Sequence, residues 1–167
     1  MISVDDALAR VINEVEPLPS ELVPLAAADG RVLAEPIIST LMLPPFANSA
    51  MDGYAFRASH VAQASPEQPI FLMLVESISA GMVGKHTVGP GQAARIMTGA
   101  PIPSGADAVI KYEDTTNPTP DTVAITQPVT LGNCIRLPGE DVQIGAQVVP
   151  APAILTPPTL GLCAALG

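Results

Sequence analysis

Pro44-Pro45-Phe46-Ala47-Asn48-Ser49-Ala50-Met51-Asp52-Gly53-Tyr54-Ala55 sets one carboxylate among stiff, small and hydrogen-bonding residues. Pro44 and Pro45 fix the approach of the backbone, because each ring locks φ and removes a donor. Asn48, Ser49 and Ala50 are small enough to let another molecule come close, and Gly53 permits a sharp bend directly after Asp52. Taken alone, Asp52-Gly53 is a common hairpin turn with no chemical task. A short acid in a pinned loop can also hold Mg²⁺ or a metal-bound water at little conformational cost.

Outward from this stretch, proline decides much of the architecture. Nineteen prolines in 167 residues leave few intervals long enough for an ordinary helix. One exception is the start, where Ser3 can cap a helix with Asp5 and Asp6 in its first turn and an apolar stripe of Leu8, Val11, Ile12 and Val15. Pro17 ends it. A second short helix is predicted near the C-terminus, with Thr156 as cap, Pro157 at the first helical position and Leu160, Leu162, Cys163 and Leu166 as apolar surface.

Between them the pattern predicts short strands at Leu22–Leu25, Pro36–Ser39, Ile70–Ser77, Ala94–Met97, Ala108–Tyr112, Val123–Thr126 and Gln147–Val149, with an exposed loop at Asn117–Asp121. Ala26–Leu33 adds a helical turn limited by Gly30. The expected class is mainly β with a few short helices, α+β.

The net charge of −9, from 16 acids against seven Lys and Arg, argues against nucleic acid and anionic membrane as partners. An acidic protein still binds an anionic small molecule when a divalent cation bridges carboxylates to phosphates, or when backbone N–H groups face the anion. Met1–Asp6 has two acids and no basic region, so a cytoplasmic location is expected. Residues Val142–Gly167 carry no charge, but four prolines break any membrane-spanning helix there. Cys134 and Cys163 stand far apart without metal-ligand spacing and read as reduced, small hydrophobes.

Two further turns bear on chemistry. In Arg95-Ile96-Met97-Thr98-Gly99-Ala100-Pro101-Ile102-Pro103, Thr98 precedes Gly99, so its hydroxyl and nearby N–H groups can face a ligand; the alternative is a plain strand-end turn. In Arg136-Leu137-Pro138-Gly139-Glu140-Asp141, neighbouring acids point to opposite faces of extended backbone, so one of the two can enter a given cleft while the other stays on the surface or pairs with Arg136. Asn48 and Ser49 can bond an oxyanion or close Asx and Ser turns on their own backbone. Gly89-Pro90-Gly91-Gln92-Ala93-Ala94 mimics a dinucleotide fingerprint, but lacks the βαβ surroundings and reads as a β-turn.

These three blocks, in this order, resemble those of the MoeA/gephyrin family, molybdopterin molybdenumtransferases that insert molybdate into the pterin of the molybdenum cofactor. The resemblance implies catalytic roles for Asp52, Thr98 and Asp141, with Asp52 and Asp141 toward Mg²⁺, and substrate contacts from Asn48, Ser49, Gly53 and Gly99. It implies adenylylated molybdopterin and molybdate as substrates, a homodimer for the full-length protein, and an elongated two-lobed arrangement with one β lobe inserted in another. The inserted lobe would be residues 46–136; residues 1–45 and 137–167 would form the outer one. The resemblance covers only the N-terminal part of a full-length member, without the family's α/β molybdopterin-binding domain and C-terminal β domain. This implies negligible activity of the chain alone, or else a non-catalytic binding or scaffold module of the gephyrin type. Two departures stand out: Ala47 occupies a position where the family often has Asp, and Pro152 one where Gly is usual.

Overall fold

A computed structural model describes residues 2–167. In chain order the elements are α1 (Val4–Asn13), β1 (Val32–Leu33), β2 (Ile37–Ile38), β3 (Asn48–Ser49), β4 (Gly53–Phe56), β5 (Ile70–Ile78), β6 (Gln92–Ile96), β7 (Ala108–Lys111), β8 (Thr115–Thr119), β9 (Thr122–Ile125), β10 (Ile135–Arg136), β11 (Gln147–Val149), β12 (Ala153–Ile154) and α2 (Pro157–Leu166). Short 3₁₀ turns lie at Leu25–Ala27, Ala58–Val61 and Tyr112–Asp114. The chain is mainly β, and it divides into two compact units, Met1–Ile38 with Gln147–Gly167, and Ser39–Ala146.

The first unit holds both helices and two antiparallel ribbons, β1 with β12 and β2 with β11. Helix α1 starts where Ser3 accepts a hydrogen bond from the Asp6 N–H at 3.1 Å, which satisfies one of the free donors of the first turn. It buries none of its residues: Val4, Leu8, Val11 and Ile12 are all more than half exposed. Helix α2 has Pro157 at its first position as expected, but Thr156 makes no capping bond; its hydroxyl pairs with that of Thr159 at 3.0 Å. Leu22–Leu25 is not a strand. Pro24 supplies no donor, and the chain instead closes a 3₁₀ turn through Ala27 N–H to Pro24 O at 2.9 Å.

The second unit is built on a six-stranded sheet in the order β7-β4-β6-β5-β9-β8, antiparallel except for β5 with β6. Alternation along the strands serves two cores. Tyr54, Phe56, Leu72, Ala93, Ala108, Ile110, Val123 and Ile125 belong to one; Ala55, Ile78, Ala94, Ile96 and Val109 belong to the other. This is why every residue of central strand β4 is buried.

Gly53 is needed at the start of β4 for a different reason from a bend. A Cβ there would collide with the carbonyl oxygen of Ile110 on the neighbouring strand, so only glycine lets β4 and β7 approach. Asn117–Asp121 is not a loop throughout: β8 runs to Thr119 and a tight turn at Pro120-Asp121 joins it to β9. Pro118 is tolerated because β8 lies at the edge of the sheet. The Gly89 stretch is a β-turn, closed by Gln92 N–H to Gly89 O at 3.2 Å. Among the described residues, no helix is long and apolar enough to cross a membrane.

Candidate functional site

The stretch from Leu43 to Asp52 is the wall on which the other two turns hang. Strand β3 pairs antiparallel with β10, Ser49 opposite Ile135 and Asn48 opposite Arg136. Its other side holds the Thr98 turn: Ser49 N–H donates to Ala100 O at 3.0 Å, Gly99 N–H to Ser49 O at 2.8 Å, and Ile102 N–H to Ala47 O at 3.1 Å. Upstream, Gly139 N–H donates to Pro44 O at 2.9 Å and Asp141 N–H to Leu43 O at 2.8 Å. Three segments far apart in sequence are thus tied by backbone hydrogen bonds into one surface.

Asp52 emerges from that wall exposed, directly before β4. Its Oδ1 accepts two hydrogen bonds from Thr98, from the backbone N–H and from the hydroxyl, each 2.7 Å. Gly99, at φ +80°, takes the left-handed conformation that the turn needs, and a side chain there would be strained. The Thr98 N–H, then its hydroxyl, and to a smaller extent the positive charge of Arg95, hold the Asp52 carboxyl below its ordinary range against a weaker push from desolvation. Asp52 is a fixed anion.

Asp141 is exposed too, and its Oδ2 accepts from the Arg136 guanidinium at 2.5 Å. Glu140 is exposed and approaches Arg136 Nε at 4.0 Å, the two roles expected of it, and it also accepts the Leu137 N–H at 3.0 Å. The Asp141 carboxylate, with a smaller contribution from Glu140, raises the pKa of Arg136 against a weaker opposing push from desolvation. The Asp141 side chain is therefore joined to the Asp52 wall through Arg136, the β10 partner of Asn48, beside the backbone bond of Asp141 to Leu43, and makes no direct bond to Asp52 or Thr98.

Asn48 and Ser49 are buried, at 7% and 1% exposure, and their side chains close local turns. Ser49 Oγ donates to Met51 O at 2.5 Å and accepts the Met51 N–H at 3.3 Å; Asn48 Nδ2 donates to Phe46 O at 3.2 Å. Of the two roles left open for them by sequence, the side chains take the turn-closing one, and so set the direction in which Asp52 leaves the wall.

A cleft of about 630 Å³ in the same unit is lined by Tyr54, Arg95, Tyr112 and Asn117 among others; Asp52 itself is not in its lining. Arg95 sits opposite Tyr54 in the β4–β6 pairing, and its guanidinium lies 4.9 Å from the Tyr112 ring centre. Tyr112 in turn donates its N–H to Asp52 O at 3.1 Å. Sequence reading does not single out Arg95 or Tyr112; the usable signal is a lone cation in an otherwise apolar strand, Ala93-Ala94-Arg95-Ile96.

Comparison with known proteins decides the family. The description "MoeA N-terminal region (domain I and II)" matches residues 2–167. The chain belongs to this MoeA N-terminal family. It is 48% identical over 145 residues to molybdopterin molybdenumtransferase 2 of Mycobacterium tuberculosis, covering 87% of this chain and 36% of that protein. It is 43% identical over 169 residues to the molybdopterin molybdenumtransferase of a Nostoc species, covering 99% of this chain and 38% of that one. The crystal structure of the molybdopterin biosynthesis moeA protein from Pyrococcus horikoshii superposes with a TM-score of 0.91 at 39% identity, covering 98% of this chain and 43% of that chain. The MoeA N-terminal chain described here thus spans less than half the length of these relatives.

Proposed function

We propose that this chain supplies one wall of the substrate cleft of a molybdopterin molybdenumtransferase, which inserts molybdate into adenylylated molybdopterin. The observation that supports it most is the Asp52–Thr98 pair, an exposed carboxylate fixed by two hydrogen bonds on a wall built from all three family-like blocks. Such a group has the orientation and the charge that a metal-assisted transfer between anions needs.

Mg²⁺ fits this wall as a shared ligand rather than a caged one. Among the described residues no three His, Cys, Asp or Glu side chains gather to hold a metal ion. Mg²⁺ keeps several waters and takes one or two carboxylates together with substrate phosphates. Asp52, whose Oδ2 has no hydrogen-bond partner among the described residues, would offer one oxygen; Asp141 would offer its own beside Arg136. The bound ion would offset the repulsion between an incoming oxyanion and a phosphorylated pterin.

Within this reading Thr98 holds Asp52 ionised and aimed, Gly99 takes the left-handed conformation of the turn, and Gly53 lets β4 and β7 pack closely directly after Asp52. The longer protein is cytoplasmic and dimeric, and the cleft is completed by a domain beyond these residues. The 167-residue chain alone consequently has negligible transferase activity. Molybdate insertion by purified protein tests this: measurable turnover by this chain, without the remaining domains, would refute it.

A second reading, a binding or scaffold module, is favoured by α1 alone, whose apolar stripe is left uncovered. Retention of cofactor formation by a full-length protein lacking the Asp52 carboxylate would move the balance toward it.

A further inference from the structure

Arg95 is a charge without an ionic partner among the described residues. In a chain with 16 acids against seven Lys and Arg, its guanidinium has no carboxylate within 4.0 Å and no hydrogen bond among the described residues, whereas Arg31 and Arg136 are both paired. It is nevertheless held in place. Its guanidinium lies 4.9 Å from the centre of the Tyr112 ring; Tyr112 meets Tyr54 edge-on at 5.0 Å and 75°, and the Tyr54 hydroxyl donates to Asn117 Oδ1 at 2.8 Å. An arginine stacked on a ring keeps its planar fork of N–H donors free for a bidentate acceptor.

Strand alternation places this fork. Ala93 and Tyr54 belong to the same core, so Arg95, two residues beyond Ala93, stands on that face of the sheet, along the edge from which Asp52 projects. The cleft lining also carries Glu76 and Asp121. Glu76 is already engaged, accepting the N–H groups of Lys85 at 2.9 Å and His86 at 3.1 Å. Arg95 is the one Lys, Arg or His among the residues that line the cleft, so a negative group held there is held at Arg95.

We infer that Arg95 binds a tetrahedral oxyanion of phosphate type in this cleft. The inference rests on the reading of Asp52 and Thr98 as a cleft wall, and it adds a cation that orients the anionic part of the ligand. The anion is either a free oxyanion or the phosphate ester of a larger ligand.

The test is titration of the ¹⁵N-labelled 167-residue chain with inorganic phosphate and, separately, with adenosine monophosphate, followed by NMR. Both probes are expected to shift the Arg95 side-chain and Tyr112 amide signals, and Arg95→Gln is expected to weaken binding about tenfold or more. Arg95→Lys, which keeps the charge without the fork, retains part of the affinity. Additional shifts at Asn117 and Asp121 with the nucleotide alone assign the anion to an ester; identical shifts with both probes assign it to a free oxyanion. Millimolar phosphate that leaves Arg95 unmoved, or an Arg95→Gln chain that binds like the unaltered one, overturns the inference. Failure of the Asp52 reading appears elsewhere, as unchanged cofactor formation by the full-length Asp52→Asn protein, and leaves this titration intact.

Discussion

Thr98 donates twice to a single oxygen of Asp52, through its N–H and its hydroxyl, each at 2.7 Å. Forty-six residues separate the two in sequence. The pair consequently reports on whether the Pro44–Ala55 stretch and the Thr98 turn are correctly joined, and it lowers the Asp52 pKa while fixing the carboxylate in place.

That lowering is measurable. NMR titration of the Asp52 carboxyl is expected to give a midpoint below the ordinary aspartate value of about 3.9, and Thr98→Val, which keeps the N–H but removes the hydroxyl, should raise it part of the way back. Because the folded-state carboxyl lies below its unfolded value, the stability it contributes is complete above that ordinary value and is lost as pH falls through the folded one. A midpoint in Thr98→Val equal to that of the unaltered chain would mean that the hydroxyl bond does not form.

Ser49 tests the wall behind Asp52. Its buried hydroxyl both donates to and accepts from Met51, so Ser49→Ala leaves the Met51 carbonyl and N–H short of a partner. A loss of about 1–2 kcal/mol in urea unfolding is expected. Stability unchanged within error would mean that the turn is held by backbone bonds alone.

Gly53→Ala asks whether close strand approach is the reason for the glycine. The added methyl meets the backbone of Ile110, which cannot swing aside as a side chain could. Destabilisation of at least about 3 kcal/mol, or failure to fold, is expected. A folded Gly53→Ala chain of near-normal stability would require β4 and β7 to be further apart than they are here.

For α1 the expectation runs the other way. Leu8 is exposed on a helix that buries nothing, so Leu8→Lys should change the thermal stability of this chain by no more than about 0.5 kcal/mol. A clear loss in calorimetry would show that the stripe is packed in solution.

What was legible in the sequence followed from local rules. Ser3 with Asp5 and Asp6 marks α1, Pro157 marks the start of α2, and the apolar run at Ile70 gives β5. Some strands of two residues escape such rules, although Ile37–Ile38 falls within the predicted Pro36–Ser39. Asn48–Ser49 and Ile135–Arg136 become strands only because they find each other across the chain, and nothing nearby in either segment announces it. Local signals also mislead where a partner outweighs them. Asn117-Pro118 reads as loop, yet Asn117 is drawn into the sheet by bonds to the Tyr54 hydroxyl and the Thr122 carbonyl, while the apolar letters of Leu22–Leu25 find no partner strand. The same holds at the site. Turn chemistry marks Asp52 and Thr98, which prove to touch, but the Arg136 bridge to Asp141 and the Tyr112 platform under Arg95 depend on tertiary placement.

The central claim is that the fixed carboxylate of Asp52 acts in molybdate insertion, and the direct measurement is the rate of cofactor formation by full-length protein carrying Asp52→Asn. Asparagine keeps the size and removes the charge, so the fold persists while the rate is expected to fall about 100-fold or more. A folded Asp52→Asn protein that forms cofactor at the normal rate would contradict the account.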